Sequence, residues 1–188
     1  YGGRVIAQVK RVVQTGSLNP KEVTVPGVFI DDIVVCENPL EEHRQTSSWY
    51  FDPSYCGQAR VPQENIPAAS FNERKFIARR GAMELYHGAV VNLGTGIPND
   101  MVGRVCNEEG ISDDIMITVE SGIYGGVQAG GIDFGIGQNL YAMIGHHEQM
   151  DYYNGAGVDI TYMGIGELGE DGSVNSTKMG VRCTGAGG

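Results

Sequence analysis

Ala89-Val90-Val91-Asn92-Leu93-Gly94-Thr95-Gly96-Ile97-Pro98 joins a short β-branched run to a glycine turn and then to a proline suited to the first position of a helix. The small residues of the turn leave backbone amides free to meet an anion or an amide. This pattern predicts a strand over 89–93 and a helix over 98–107. A second apolar run, Ile115-Met116-Ile117-Thr118-Val119, ends at Glu120-Ser121-Gly122. Strand, helix and strand in alternation predict an α/β fold with a parallel sheet covered by helices. Ligands of such sheets bind beyond the carboxyl ends of the strands, where both glycine-rich turns fall. Glu120 stands where a buried strand gives way to a turn, and it is the candidate nucleophile. Gly122, Gly125, Gly126, Gly130 and Gly131 follow it, and a stretch so bare of side chains would let a large ligand approach the backbone closely. The bland alternative for Glu120 is a capped or salt-bridged carboxylate at a strand end.

Outward from this unit, Ser70-Phe71-Asn72-Glu73 has capping-box spacing and predicts a helix over 71–87. Downstream, a strand is expected over 158–165, and Asp171-Gly172 is a turn leading into another over 173–177. Upstream, residues 37–69 hold Pro39, Pro53, Pro62 and Pro67 without sustained periodicity and read as a linker. Trp49-Tyr50-Phe51 within it reads as packing against a neighbouring unit. The opening third is expected to be β-rich, with strands over 4–13, 22–25 and 32–36 and a turn over 16–20.

Composition bounds the function. The chain has 188 residues, enough for one domain with a real core, and its 23 acidic and 13 basic residues give a net charge of -10. That balance disfavours nucleic acid as a partner. Cys36, Cys56, Cys106 and Cys183 form no C-x-x-C pair and read as reduced thiols of a cytosolic protein, not as a disulfide or zinc framework. No apolar run reaches the roughly 18 residues of a membrane helix, and the opening residues do not read as a signal segment. The expectation is a soluble, cytoplasmic protein without a membrane partner. The 29 glycines, about twice the usual share, follow no collagen period and imply tight turns and close backbone contacts. The start at Tyr1 and the stop in Gly185-Ala186-Gly187-Gly188 read as those of a fragment or processed piece.

Several familiar motifs are broken. G-x-G-x-x-G would need glycine at Asn99, and no Gly-Lys-Ser/Thr phosphate loop occurs. A G-x-S-x-G elbow around Ser121 would need glycines at Val119 and Ile123. His146-His147-Glu148-Gln149-Met150-Asp151 approaches H-E-x-x-H, but Asp151 replaces the second histidine, so a solvated loop is expected there. His43 and His87 are isolated, Asp151, Asp159 and Asp171 are too dispersed for a calcium loop, and Glu108-Glu109 reads as an exposed helix end. No metal is expected.

Taken together, Asn92-Leu93-Gly94-Thr95-Gly96-Ile97-Pro98, Glu120-Ser121-Gly122-Ile123-Tyr124-Gly125-Gly126 and Gly157-Val158-Asp159-Ile160 resemble family I coenzyme A transferases. They correspond, in order, to the coenzyme A loop, the nucleophile turn and a later strand of that family's second half. Residues 5–36 resemble the last strands of the first half in single-chain acetate or propionate members. The resemblance implies that 1–62 ends the first half and begins the linker, and that 63–188 is most of the second half, on an isomerase-like open α/β fold. It makes Glu120 the residue that becomes a glutamyl thioester and Asn175 the amide that steadies it. It lays Asn92, Leu93, Gly94, Thr95 and Gly96 along the coenzyme, with Gly125 and Gly126 in the coenzyme-contacting turn. Gly187 and Gly188 would begin a further coenzyme-contacting glycine motif.

The implied reaction is a ping-pong transfer of coenzyme A, as cosubstrate, between a short-chain acyl-CoA and a free carboxylic acid such as acetate, propionate or butyrate. Hydrolysis of the acyl-CoA on the same fold, and a noncatalytic ligand-binding or regulatory module, are the alternatives. The resemblance also implies a homo-oligomer, and a remainder of the chain carrying the glycine-rich start and oxyanion-stabilising residues that have no counterpart here.

Overall fold

The structure is a computed structural model that describes residues 2–183. It separates between Phe51 and Asp52 into two units. In the first, β1 (Ile6–Val9) and β2 (Asp32–Val35) pair in parallel, with Ile6 opposite Asp32 and Val9 opposite Val35. The Asp31 carboxylate accepts the Val5 N–H at 2.8 Å and fixes the entry to this pair. Only part of the strand expected over 4–13 is paired, and the one expected over 22–25 does not form. Instead Asn19 caps a helical turn, Pro20–Glu22, accepting the Lys21 N–H at 3.1 Å, because proline presets φ for that turn and asparagine is a strong cap. After β2 comes one helical turn, α1 (Pro39–Glu42). The β-rich opening therefore reduces to a two-stranded ribbon.

The second unit carries α2 (Glu73–Ala82), β3 (Val90–Leu93) and a π-type turn, Pro98–Val102, that runs into α3 (Gly103–Glu108). Then follow β4 (Met116–Val119), β5 (Ile123–Tyr124), the hairpin of β6 (Val127–Gln128) with β7 (Gly137–Gln138), and β8 (Ala142–Met143). The helix α4 (His146–Asn154) leads to β9 (Ile160–Tyr162). Five strands form one sheet in the order β8-β5-β4-β3-β9. The strands β9, β3 and β4 are parallel, as the alternation predicts, while β5 is antiparallel to both β4 and β8. Beyond the sheet, β10 (Glu167–Leu168) pairs with β11 (Val174–Asn175) around the Asp171-Gly172 turn, and β12 (Lys178–Met179) pairs with β13 (Arg182–Cys183).

Successive strand residues point to opposite faces, and here the two faces differ in chemistry. Val91, Leu93 and Ile117, with Ile160 and Tyr162, pack against Ala78 and Ala82 of α2 and Val105 and Cys106 of α3. The other face presents a cross-strand row, Tyr124, Thr118, Asn92 and Thr161, and lies under α4. The α4 residue Tyr153 is its hub. Its hydroxyl accepts from Asn92 Nδ2 at 3.0 Å and lies 2.6 Å from Thr118 Oγ1. Thr118 gives its own hydrogen to the Val91 carbonyl at 2.8 Å, so Tyr153 is the donor to Thr118. Thr161 Oγ1 donates to Asn92 Oδ1 at 2.9 Å. The buried members of this row, Asn92 and Thr118, are satisfied, as they must be to avoid a large desolvation cost.

Three local expectations change. The α2 cap is Asn72, which accepts the Lys75 N–H at 3.1 Å, and the helix stops at Ala82 because the chain then tightens and turns at Gly88 (φ +83°) into β3. The segment around His146 is helical rather than a loop: the Gly145 N–H is taken by Glu148 Oε2 at 2.8 Å, one half of a capping box at the helix start. Glu108 is not a free helix end. It takes the Lys75 ammonium and the Ala69 N–H, while the exposed Glu109 pairs with Arg79. Among the described residues no helix is long and apolar enough to cross a membrane, and no group of three or more His, Cys, Asp or Glu side chains is placed to hold a metal.

Candidate active site at the carboxyl edge of the sheet

Val119 and Ile123 face each other at the end of the β4–β5 hairpin, so Glu120, Ser121 and Gly122 are its three-residue loop. Gly122 closes the loop at φ +100°, with its N–H on the Val119 carbonyl at 2.9 Å. A Cβ there would come within 2.2 Å of the Ile144 carbonyl oxygen, so the position requires glycine twice over. Ser121 Oγ donates to the Gly135 carbonyl at 2.7 Å and anchors the loop.

Val119 is fully buried among Ile123, Leu140 and Phe134, and Glu120 follows it as the first residue of the loop at the sheet's carboxyl edge. Glu120 itself is half-buried. Its Oε2 is enclosed and makes no hydrogen bond, and no ion pair among the described residues includes it. An enclosed acceptor without a donor costs about 1–3 kcal/mol, more when charged. Such a group is poised to gain from a ligand or from a donor brought into place.

Most of the glycines after Glu120 stand where other parts of the protein come close. A Cβ on Gly125 would lie 2.3 Å from the Tyr141 ring, and one on Gly126 would lie 2.0 Å from the Gln138 carbonyl oxygen. Gly130 faces the Asp100 carboxylate at 2.7 Å, and only Gly131 of the five opens on space. At Gly125 and Gly126 the missing side chain makes room for the protein's own β7–β8 segment.

On the neighbouring strand, Asn92 and Leu93 are buried in the sheet, and Gly94 is buried with its N–H on the Tyr162 carbonyl at 2.8 Å. Of the five residues expected along the coenzyme, only Thr95 and Gly96 reach the surface. Gly96 has φ +91° and no atom within 4 Å of where a side chain would begin. These two line a cleft of about 580 Å3 with Ile97 and Pro98, the Met163-Gly164-Ile165 segment after β9, and Ile77, Ala78 and Gly81 of α2. Glu120 is not part of that lining. Glu120 follows β4, which is paired in parallel with β3, the strand that leads into Thr95 and Gly96.

Asn175 makes its hydrogen bonds within its own turn. Its Nδ2 donates to Glu167 and, at 2.7 Å, to the Lys178 carbonyl, and its Oδ1 accepts the Thr177 and Lys178 N–H groups at 3.2 Å. Gly187 and Gly188 lie outside the described residues. Two neighbours of the site escape sequence reasoning. Gln149 of α4 is 0% exposed, and neither of its amide atoms has a partner. Burial, followed by the nearby Tyr152 and Tyr153, pushes the Tyr124 hydroxyl above its ordinary pKa.

In sequence and in fold the chain is similar to a part of several coenzyme A transferases. It is 39% identical over its whole length to a caffeate CoA-transferase of Acetobacterium woodii, matching 36% of that protein. It is 35% identical, again over its whole length, to the acetate CoA-transferase YdiF of Escherichia coli K12, matching 34% of it. The solved acyl-CoA transferase YdiF of Escherichia coli O157:H7 shares 33% identity as apoenzyme, with a TM-score of 0.79 over 99% of this chain and 33% of that one. Its thioester complex with CoA gives 34% identity and a TM-score of 0.72, over 97% of this chain and 32% of that one. The chain thus spans about a third of the length of these relatives. No protein-family model matches it.

Proposed function

We propose that Glu120 is the nucleophile of an enzyme that transfers coenzyme A between a short-chain acyl-CoA and a free carboxylic acid. One observation carries the reading: a carboxylate with an enclosed, unpartnered oxygen on the loop at the sheet's carboxyl edge. The chain around it is similar from end to end to CoA-transferases, one of them solved as a thioester complex with CoA.

Glu120 attacks the acyl-CoA carbonyl, expelling the coenzyme thiolate and forming a mixed anhydride. The thiolate attacks the glutamyl carbonyl of that anhydride, which releases the donor as its carboxylate and leaves a glutamyl-CoA thioester. The acceptor carboxylate then attacks this thioester, regenerating an anhydride and free thiolate. Attack of the thiolate on the new acyl carbon frees Glu120 and the product acyl-CoA. A carboxylate nucleophile matches the leaving and entering carboxylates in kind, so thioester energy is conserved and neither direction is steeply downhill. We assign the coenzyme to the cleft at Thr95 and Gly96, one strand from the carboxylate. Holding its remote atoms there converts binding into positioning, which reaches about 7–11 kcal/mol in favourable systems.

Incubating the full-length protein with acetyl-CoA, reducing with borohydride and mapping peptides should locate the reduced residue at Glu120. Glu120→Gln should abolish the adduct and lower turnover by roughly 10^4-fold or more. Reduction at another residue overturns the assignment, and coenzyme release independent of added carboxylate marks water as the acceptor.

A further inference from the structure

Gln149 is wholly enclosed, yet both ends of its amide lack a hydrogen-bond partner. A buried amide left in that state is costly, so its place in the fold needs a cause. The position of α4 supplies one. Two antiparallel steps, β4 to β5 and β5 to β8, make β8 parallel to β4, so α4 begins at the carboxyl edge and runs back along the sheet. Its start is fastened to the Glu120 loop, for the Ile144 N–H donates to the Gly122 carbonyl at 2.9 Å. Tyr153 sits over Thr118, and Gln149 precedes it by four residues on the same helix face. One turn toward the carboxyl edge is about 5.4 Å, and two residues along a strand are about 6.6 Å. By this spacing Gln149 stands on the Thr118 side of the sheet, at the level where β4 gives way to the Glu120 loop.

We propose that Gln149 is a positioning residue for Glu120, its side-chain N–H donating to the carboxylate and holding it toward the incoming thioester. The chemistry is complementary: a carboxylate only accepts, and the amide offers two donors. The competing partner is the Tyr124 hydroxyl, on which Gln149 acts as a hydrogen-bonding side chain, though neither amide atom reaches strict hydrogen-bond geometry; an amide with two donors can serve Tyr124 and Glu120 together. The inference rests on Glu120 being the nucleophile proposed above.

The test uses Gln149→Met, which keeps the volume and removes the donor, and Gln149→Glu, which keeps the shape and sets a like charge beside Glu120. Both are made in the full-length protein, and thermal melting checks that each is folded. Either variant that melts like the parent decides the question. The expected result is a kcat lowered about 30- to 100-fold with KM for acetyl-CoA within twofold, and a matching slowing of the single-turnover appearance of the enzyme–CoA adduct by mass spectrometry. A kcat within twofold of the parent, with the parent adduct on Glu120, overturns the role of Gln149 and leaves the nucleophile standing. Absence of an adduct on Glu120 in the parent overturns both.

Discussion

Cys106 illustrates how strongly this core disarms a reactive side chain. It sits on the core-facing side of α3 with no exposed surface, and burial, with Glu109 adding in the same direction, pushes its thiol up to about 12. Almost none of it is thiolate near neutral pH, and no reagent reaches it without opening the core. Iodoacetamide labelling at about pH 8, read by peptide mass, should modify Cys106 at least about 10^3-fold more slowly in the native chain than in denaturant. Comparable rates would mean that the core opens readily. Glu120 is the opposite case, a carboxylate at the rim whose one oxygen is enclosed but not paired. It is legible in the sequence because a buried strand running into a glycine turn is a local signal. Gln149 is not legible, since its burial depends on what α4 covers, and that is settled only when β5 and β8 reverse the chain.

The ends of α2 and α3 are clasped by a single carboxylate. Glu108 takes the Lys75 ammonium and the Ala69 N–H, and Lys75 also donates to the Ala69 carbonyl at 3.0 Å. Burial alone would push the Glu108 carboxyl up, but Lys75, Ala69 and Arg79 outweigh it and hold it below the usual carboxylate range. A group depressed in the folded state stabilises fully above its unfolded pKa, about 4.3 for glutamate, and loses that contribution as pH falls through the lower folded value. Glu108→Gln should therefore destabilise by about 1–3 kcal/mol at pH 7. The gap to the parent should narrow as pH falls below about 4.3 and through the lower folded value, as denaturant melts across the range would show; a gap independent of pH would refute the clasp. Elements whose apolar residues face a wholly apolar layer, such as β3 and β4, stand out in the sequence. The helix α4 does not, because Gln149, Tyr152 and Tyr153 meet a polar row and leave no apolar period. Gly125 and Gly126 read two ways for a related reason: a missing side chain announces a close approach without saying what makes it, and on the side-chain side it is Tyr141 and Gln138.

Across the whole molecule, burial is distributed very unevenly. Among described residues 2–51 only Cys36 is buried, while Ile6, Val28, Phe29 and Ile33 are each more than half exposed. Residues 52–183 hold both apolar clusters and the polar row between the sheet and α4. A two-stranded ribbon does not stabilise itself in water, since it buries too little apolar surface to offset the entropy of ordering its chain. Open apolar side chains in such numbers mark surface that associates with something else. Residues 1–51 made as a separate peptide should accordingly show no cooperative thermal transition by circular dichroism. In the 188-residue chain, the paired amides of β1 and β2 should exchange hydrogen within minutes, whereas those of β3 and β4 wait for global unfolding. Equal protection in both pairs would show that the ribbon is held as firmly as the sheet. That outcome would require a source of stability for the first unit other than its own burial.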